Sequence, residues 1–194
     1  MFIHYKRALH PVLAASYKTA GTLCGFSAAL VAAIRLDPRC WICAAALLIY
    51  AAADYVLEFS FMLGAGLFLA GHICNISFFL NLVPVSLFHL VCLLMLAGFS
   101  LLVLWRWRRQ AGKQAALFLL YGLSMIIMSV SAIGCFSSNT LSGILIACGG
   151  ALFYVSDMFL LKRIFSPAVR AFDWIVMITY YSSVLLFGIA CLNI

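Results

Sequence analysis

The sequence predicts an all-α fold, a polytopic membrane helix bundle with seven transmembrane helices. Of the 194 residues, 67% are hydrophobic and only 9% are charged, and the mean hydropathy is +1.18. Soluble domains contain about 45–50% apolar and about 25% charged residues, so this chain lacks the polar surface of a soluble enzyme. Its apolar runs also have the length of about 20 residues that crosses a bilayer as a helix.

Seven apolar runs are separated by short connections that carry helix-breaking residues such as Pro38, Pro84 and Pro167. Lipid cannot satisfy backbone polar groups, so spans of this composition must be helical. No stretch is long enough for a separate soluble domain, and residues 1–194 are predicted to form a single transmembrane domain. The expected spans are Val12–Ile34, Cys40–Phe59, Phe61–Leu82, Val85–Trp105, Ala115–Phe136, Leu141–Phe165 and Phe172–Asn193.

The positive charges predict how the chain is oriented. An odd number of spans puts the two termini on opposite sides of the membrane. Nine cations fall on the N-terminal side and only Arg35 and Arg39 fall on the other, which places the N-terminus in the cytoplasm and the C-terminus outside. We therefore expect a multi-pass integral membrane protein, in the cytoplasmic membrane if the source is bacterial. The nine cations are Lys6, Arg7, Arg106, Arg108, Arg109, Lys113, Lys162, Arg163 and Arg170.

Metal and nucleic-acid binding are not expected. The cations form short clusters between apolar runs, not the basic face of a nucleic-acid binder. Seven of the eight cysteines lie within or beside apolar spans, where a thiol is mostly a small hydrophobe. A single Cys40-x-x-Cys43 pair is a weak metal signal. With one histidine near mid-membrane and no His-x-x-x-His, the chain lacks the three or four ligands of a zinc site, so we expect no metal and no cofactor.

Ionisable residues inside the spans converge on one layer of the membrane. Such groups are costly in hydrocarbon and mark functional sites by default. At a rise of 1.5 Å per residue, Lys18, Asp54 and Asp157 lie roughly 7–12 Å from the span ends on the N-terminal side. This convergence predicts one cavity open to the cytoplasmic side. The other polar residues in or near this layer are His72, Tyr180 and Tyr181.

Two carboxyl groups without a metal suit general acid–base catalysis, in which one donates a proton and the other accepts one. Lys18 is a candidate cation for keeping one of them ionised, although a lysine this near a span end can also snorkel to the interface. His72 can equally be a residue that bonds a carbonyl group across helices. The same carboxylates also fit a proton relay in a small membrane transporter or a lipid-sensing receptor.

The segment Gly149–Asp157 resembles the Gly-Ala-Leu-x-Phe-x-x-Ser-Asp motif of the lysoplasmalogenase (YhhN-like) integral membrane family. Asp54, Lys18 and the segment Gly66–His72 are similar to further elements of that family, and Tyr180-Tyr181 is similar to its last-span tyrosine. Many members have an eighth span at the N-terminus. This chain departs from the family pattern at four positions: Thr19, Ala53, Asn75 and Val184.

The resemblance implies hydrolysis of the vinyl ether bond of lysoplasmalogens, giving a fatty aldehyde and glycerophosphocholine or glycerophosphoethanolamine. It implies a lysophospholipid substrate taken from the lipid bilayer and no cofactor. Asp54 and Asp157 are then the catalytic pair. The expected substrate-binding residues are Lys18, His72, Tyr180 and Tyr181.

Overall fold

Seven α-helices make up the computed structural model, which describes residues 11–107, 115–165 and 170–194. The described residues contain no strand, so the predicted all-α bundle is confirmed. A short 3-10 helix, Cys135–Ser138, follows the fifth helix. The helices are α1 Pro11–Arg35, α2 Cys40–Val56, α3 Phe61–Leu82, α4 Leu87–Trp107, α5 Ala115–Gly134, α6 Leu141–Phe165 and α7 Arg170–Cys191.

Five of the helices, α1, α3, α5, α6 and α7, are long and apolar enough to cross a membrane. The remaining two contain shorter apolar stretches, Cys40–Val56 in α2 and Leu87–Val103 in α4. At 1.5 Å per residue the 17 residues of α2 extend about 25 Å, slightly less than the hydrocarbon thickness of about 30 Å. Length and composition therefore support a multi-pass membrane protein.

The helix ends differ from the predicted spans where local capping decides them. α2 ends at Val56, not Phe59, because residues 57–59 form a turn before Ser60. Ser60 is extended and its side chain accepts a hydrogen bond from the Leu63 N–H, which starts α3. Val83, before Pro84, is extended and ends α3. α4 begins at Leu87 and not Val85, and just before it the N–H and the hydroxyl of Ser86 bond His89 Nδ1 at 3.2 and 3.0 Å.

Six helices form a closed ring in the order α1, α2, α3, α5, α6, α7, with α7 returning to α1. Helix α4 lies outside this ring and packs against α5. It also reaches α6 through Tyr154, whose hydroxyl bonds the Ser100 hydroxyl at 2.8 Å and the Leu96 carbonyl at 3.0 Å. The ring is the part of the fold that can enclose a site.

Glycines allow the closest helix contacts in the ring. A Cβ at Gly188 of α7 would collide with the backbone of Gly25 in α1, and one at Gly71 of α3 would collide with the Tyr50 ring of α2. Small residues at such crossings are typical of membrane helices, which gain stability from close packing. Large fully buried side chains fill the interior between the helices, including Phe78, Phe79, Phe153 and Phe187.

The cysteines are free thiols, and Cys40, Cys43, Cys135 and Cys191 are buried among apolar side chains. The prediction that they pack as small hydrophobes agrees with this placement. The cations that dominate the charge asymmetry, by contrast, include Lys6, Arg7, Arg108, Arg109 and Lys113, which lie outside the described residues. The orientation of the chain in the membrane thus stays a prediction.

Candidate active site

A cavity of about 110 Å³ opens within the ring, at the end of the bundle where α1, α3, α5 and α7 begin and α2 and α6 end. A water molecule needs roughly 10–15 Å³ of such cavity volume, so the cavity has room for several water molecules. Its wall contains charged and hydroxyl-bearing side chains as well as apolar ones. Eight of the residues that line it carry ionisable or phenolic groups: Lys18, Asp54, Tyr121, Asp157, Arg163, Asp173, Tyr180 and Tyr181.

Asp54 reaches the cavity from the last turn of α2 and is 2% exposed. Two hydroxyl groups donate hydrogen bonds to its Oδ2 atom: Thr22 from α1, through a very short contact, and Tyr180 from α7, at 3.0 Å. A buried carboxyl group is held in one orientation by such donors. Asp54 is thus fixed at the junction of three helices.

Asp157 reaches the same cavity from α6 and is 7% exposed. The Tyr121 hydroxyl of α5 donates to its Oδ2 atom at 2.7 Å. The preceding residue, Ser156, donates to the Val176 carbonyl of α7 at 3.1 Å, which fixes this turn of α6 against its neighbour. The two carboxyl groups therefore come from opposite parts of the ring and differ in the number of hydroxyl donors.

Two ion pairs also border the cavity. Lys18 Nζ lies 3.0 Å from Glu58 Oε1, joining α1 to the turn after α2, and both side chains are mostly buried. Arg163 Nε lies 2.8 Å from Asp173 Oδ1, joining the end of α6 to the start of α7. Of these four residues, Lys18, Arg163 and Asp173 line the cavity. They supply the cations that a phosphate group needs and carboxylates that suit an ammonium group.

The two neighbouring tyrosines of α7 are placed differently. Tyr180 is 7% exposed and holds Asp54, as described above. The Tyr181 ring lies against α1, where a Cβ at Gly21 would be only 2.8 Å from it, so glycine is needed there for the ring to fit. Both rings line the cavity and are 5.2 Å apart between centroids.

The structure does not bring His72 to the cavity wall. It is completely buried, and its Nδ1 atom bonds the Tyr50 hydroxyl at 2.7 Å, while Asn75 donates to the same hydroxyl at 3.2 Å. The imidazole packs against the ring of Tyr121, with 5.5 Å between centroids. His72 thus belongs to a polar cluster behind the cavity that supports the tyrosine bonded to Asp157.

Five of the six residues singled out in the sequence line this one cavity, and His72 lies behind it. Sequence reasoning missed Thr22 and Tyr121, the hydroxyl partners of the two carboxyl groups. Tyr121 lies seven residues into its apolar run, which would have placed it in the same layer as Tyr180. Thr22 gave no such signal, because a threonine inside a membrane helix usually bonds its own backbone.

Across the described ranges, no three His, Cys, Asp or Glu side chains come together as metal ligands. The arrangement seen in the cavity, two separately held carboxyl groups with a cation near one of them, is suited to proton transfer to and from a bound molecule.

Fold and cavity together define a polytopic helical membrane protein with two buried carboxyl groups at one cavity inside the bundle. The model of the YhhN family matches residues 13–190, nearly the whole chain, and the protein belongs to that family, the lysoplasmalogenase family. No curated protein and no solved structure matches the chain.

Proposed function

We propose that the protein is a membrane-embedded hydrolase that cleaves the vinyl ether bond of lysoplasmalogens. The observation that carries the proposal is that Asp54 and Asp157, from different helices, open into one cavity whose wall is partly charged and partly apolar. An amphiphilic substrate needs both kinds of wall. Membership of the lysoplasmalogenase family supports the same reaction.

The proposed chemistry begins with proton transfer to carbon. One carboxylic acid protonates the second carbon of the alkenyl chain, which turns the C=C–O group into an oxocarbenium ion. A water molecule adds to the carbon that bears the oxygen and gives a proton to the other carboxylate. Carboxylate charge beside the cavity stabilises the cation while it exists.

The resulting hemiacetal then splits. The carboxylate that lost its proton takes the hemiacetal hydroxyl proton, and the other carboxyl group returns its proton to the departing glycerol oxygen. The products are a fatty aldehyde and a glycerophospho-base, and both aspartates regain their starting states. One water is consumed, and this cycle requires only proton transfers.

The proposed binding mode follows the charges around the cavity. Lys18 and Arg163 are close enough to the reaction site, as cavity-lining residues, to hold the substrate phosphate. Tyr180 and Tyr181 would flank the glycerol and vinyl ether, while His72 acts indirectly by supporting Tyr121.

The test is product analysis with three matched lysophospholipids that carry a 1-alkenyl, a 1-alkyl or a 1-acyl chain. Purified protein should release aldehyde from the alkenyl lipid and leave the alkyl lipid intact, because a saturated ether has no carbon to protonate. Fatty acid released from the acyl lipid would show esterase chemistry instead. Lipid-dependent proton movement across vesicles without any aldehyde would support the transporter alternative.

A further inference from the structure

The cavity has an apolar side that the acid–base chemistry does not use. Phe118, Gly122 and Ile126 of α5 line it, four residues apart, so they lie on one face of that helix. From Phe118 to Ile126 this face extends about 12 Å along α5. Most of the charged and hydroxyl groups that line the cavity come from other helices, namely α1, α2, α6 and α7.

Gly122 marks unfilled space inside the bundle. A Cβ built there would meet no atom within 4 Å, although the residue is only partly exposed and lines the cavity. Among the described glycines, Gly66 and Gly98 have similarly open surroundings. These two are exposed on the outside of the bundle and do not line the cavity.

The apolar side continues toward the helix outside the ring. Ile126 and Met125 pack in one apolar cluster with Tyr154 and with Met158 of α6, and residues of α4 complete this cluster. Ser100 of α4 also lines the cavity and bonds the Tyr154 hydroxyl at 2.8 Å. The open space thus leads from the two aspartates along α5 to the region covered by α4.

We propose that the Gly122 side of the cavity is the binding subsite for the hydrocarbon chain of a single-chain lysophospholipid, and that substrate chain length is selected there. This proposal rests on the proposed function. A single alkyl or alkenyl chain matches a narrow apolar wall that starts at the reaction site. Met125 and Met158 have flexible thioether side chains, which adapt to a mobile chain.

The first experiment measures binding and does not depend on turnover. Non-cleavable 1-O-alkyl lysophosphocholines of increasing chain length are bound to the protein in nanodiscs. The variant Gly122→Phe fills the open space, and Gly98→Phe is the matched control at an equally open glycine on the outer surface. Each methylene kept out of an apolar site weakens binding about fourfold.

We expect Gly122→Phe to bind the longest lipid at least tenfold more weakly while its affinity for the shortest lipid stays unchanged. Gly98→Phe should follow wild type at every length. An equal loss of affinity for lipids of every chain length, or no loss of affinity, would overturn the proposal. If Gly122→Phe fails to fold, Gly122→Ala and Gly122→Leu should show the same length-dependent loss in graded form.

A second experiment locates the chain in the unmodified protein. A lysophospholipid with a photoreactive diazirine at the chain end should label peptides that contain Met125, Ile126 or Met158. Labelling confined to outward-facing residues would overturn the proposal, as would equal labelling of these peptides by a diacyl lipid with the same group. Binding that depends on chain length without any aldehyde release would support the proposed chain subsite and contradict only the proposed reaction.

Discussion

Tyr121 is the residue through which α5 contacts Asp157. Its hydroxyl donates a hydrogen bond to Asp157 Oδ2 at 2.7 Å, and its ring packs against the His72 imidazole. In a cavity of low polarity this hydrogen bond both orients the carboxyl group and stabilises its charge. In the proposed mechanism Tyr121 is therefore a positioning residue, whereas Asp157 is the residue that contacts the substrate.

We predict that Tyr121→Phe lowers kcat about tenfold, or about 1.4 kcal/mol of barrier, with a much smaller change in KM. Phenylalanine keeps the ring contact with His72 and removes only the hydroxyl. Steady-state kinetics on the purified variant measure the effect, and Tyr55→Phe, which removes the hydroxyl of an exposed tyrosine that does not line the cavity, is the control. An unchanged kcat would mean that the proposed role of Asp157 does not require the hydrogen bond from Tyr121.

The position of Lys18 bears on the two alternatives that the sequence left open, a cation beside a carboxylate or a snorkelling residue. It lines the cavity with Asp54, and it is paired with Glu58 at 3.0 Å, with 16% of its side chain exposed. A lysine that only snorkelled would extend into the interface, away from the site. Its position instead leaves its charge at the cavity that Asp54 also lines.

We predict that Lys18→Met cuts kcat/KM at least tenfold, or about 1.4 kcal/mol of transition-state stabilisation. The loss follows from removing the cation that faces the substrate phosphate and Asp54. Lys18→Arg should recover part of the activity, since it restores the charge. Turnover near the wild-type rate in Lys18→Met would show that the residue serves only its ion pair with Glu58.

At the scale of helices, the contact between α1 and α7 holds both donors of Asp54 in place. Thr22 is in α1 and Tyr180 is in α7, and the two helices meet closely at Gly25 and Gly188. Any side chain at Gly188 would push the helices apart. The packing of α1 against α7 therefore affects how the Asp54 carboxyl group is held.

We predict that Gly188→Leu lowers the free energy of unfolding by about 1–3 kcal/mol, the usual cost of overpacking, and also weakens activity. Gly98→Leu adds the same side chain at an exposed glycine with no neighbour within 4 Å, so it should leave both unchanged. Thermal and denaturant unfolding in detergent measure the difference. A Gly188→Leu protein as stable as wild type would contradict the close packing described here.

The sequence predicted how deep the polar residues lie in the bundle. It did not predict which way each side chain faces or which helices are neighbours. Apolar runs predicted seven helices, and the helical rise put Asp54 and Asp157 at one level, where the cavity contains both. His72 lies near that level but faces away, because a rise per residue does not say which face a side chain occupies. The exclusion of α4 from the ring depends on packing between distant segments, which no local pattern reports.

At the scale of the whole molecule, seven helices place the two ends of the chain on opposite sides of the membrane if every helix crosses it. The cavity opens at the end where α1 begins and α2 ends. Its access side thus follows from the orientation of the N-terminus. The nine-to-two charge asymmetry predicts that this side faces the cytoplasm.

We predict that a C-terminal alkaline phosphatase fusion is active and a C-terminal fluorescent protein fusion is dark, as expected for an extracytoplasmic C-terminus. The reverse pattern is expected for the same reporters placed at the N-terminus. Fluorescence from the C-terminal fusion would mean that the bundle is inverted or that α2 or α4 does not cross.

Asp54 and Asp157 are proposed to act together on one bound substrate. A matched control is available in Asp37, a carboxylate at the opposite end of the bundle. Hydrogen bonds from Arg39 hold the pKa of Asp37 below its usual value, so Asp37→Asn also removes a charge at neutral pH. Asparagine keeps the side-chain shape but cannot carry the catalytic proton.

The most direct measurement is aldehyde release from lysoplasmalogen by folded Asp54→Asn, Asp157→Asn, the double variant and Asp37→Asn. We predict that each single cavity variant loses at least two orders of magnitude and that the double variant is hardly slower, because residues that act as a unit are not additive. Asp37→Asn should match wild type. If either cavity variant keeps more than about a tenth of the wild-type rate, less than about 1.4 kcal/mol depends on that residue, and the acid–base pair is contradicted.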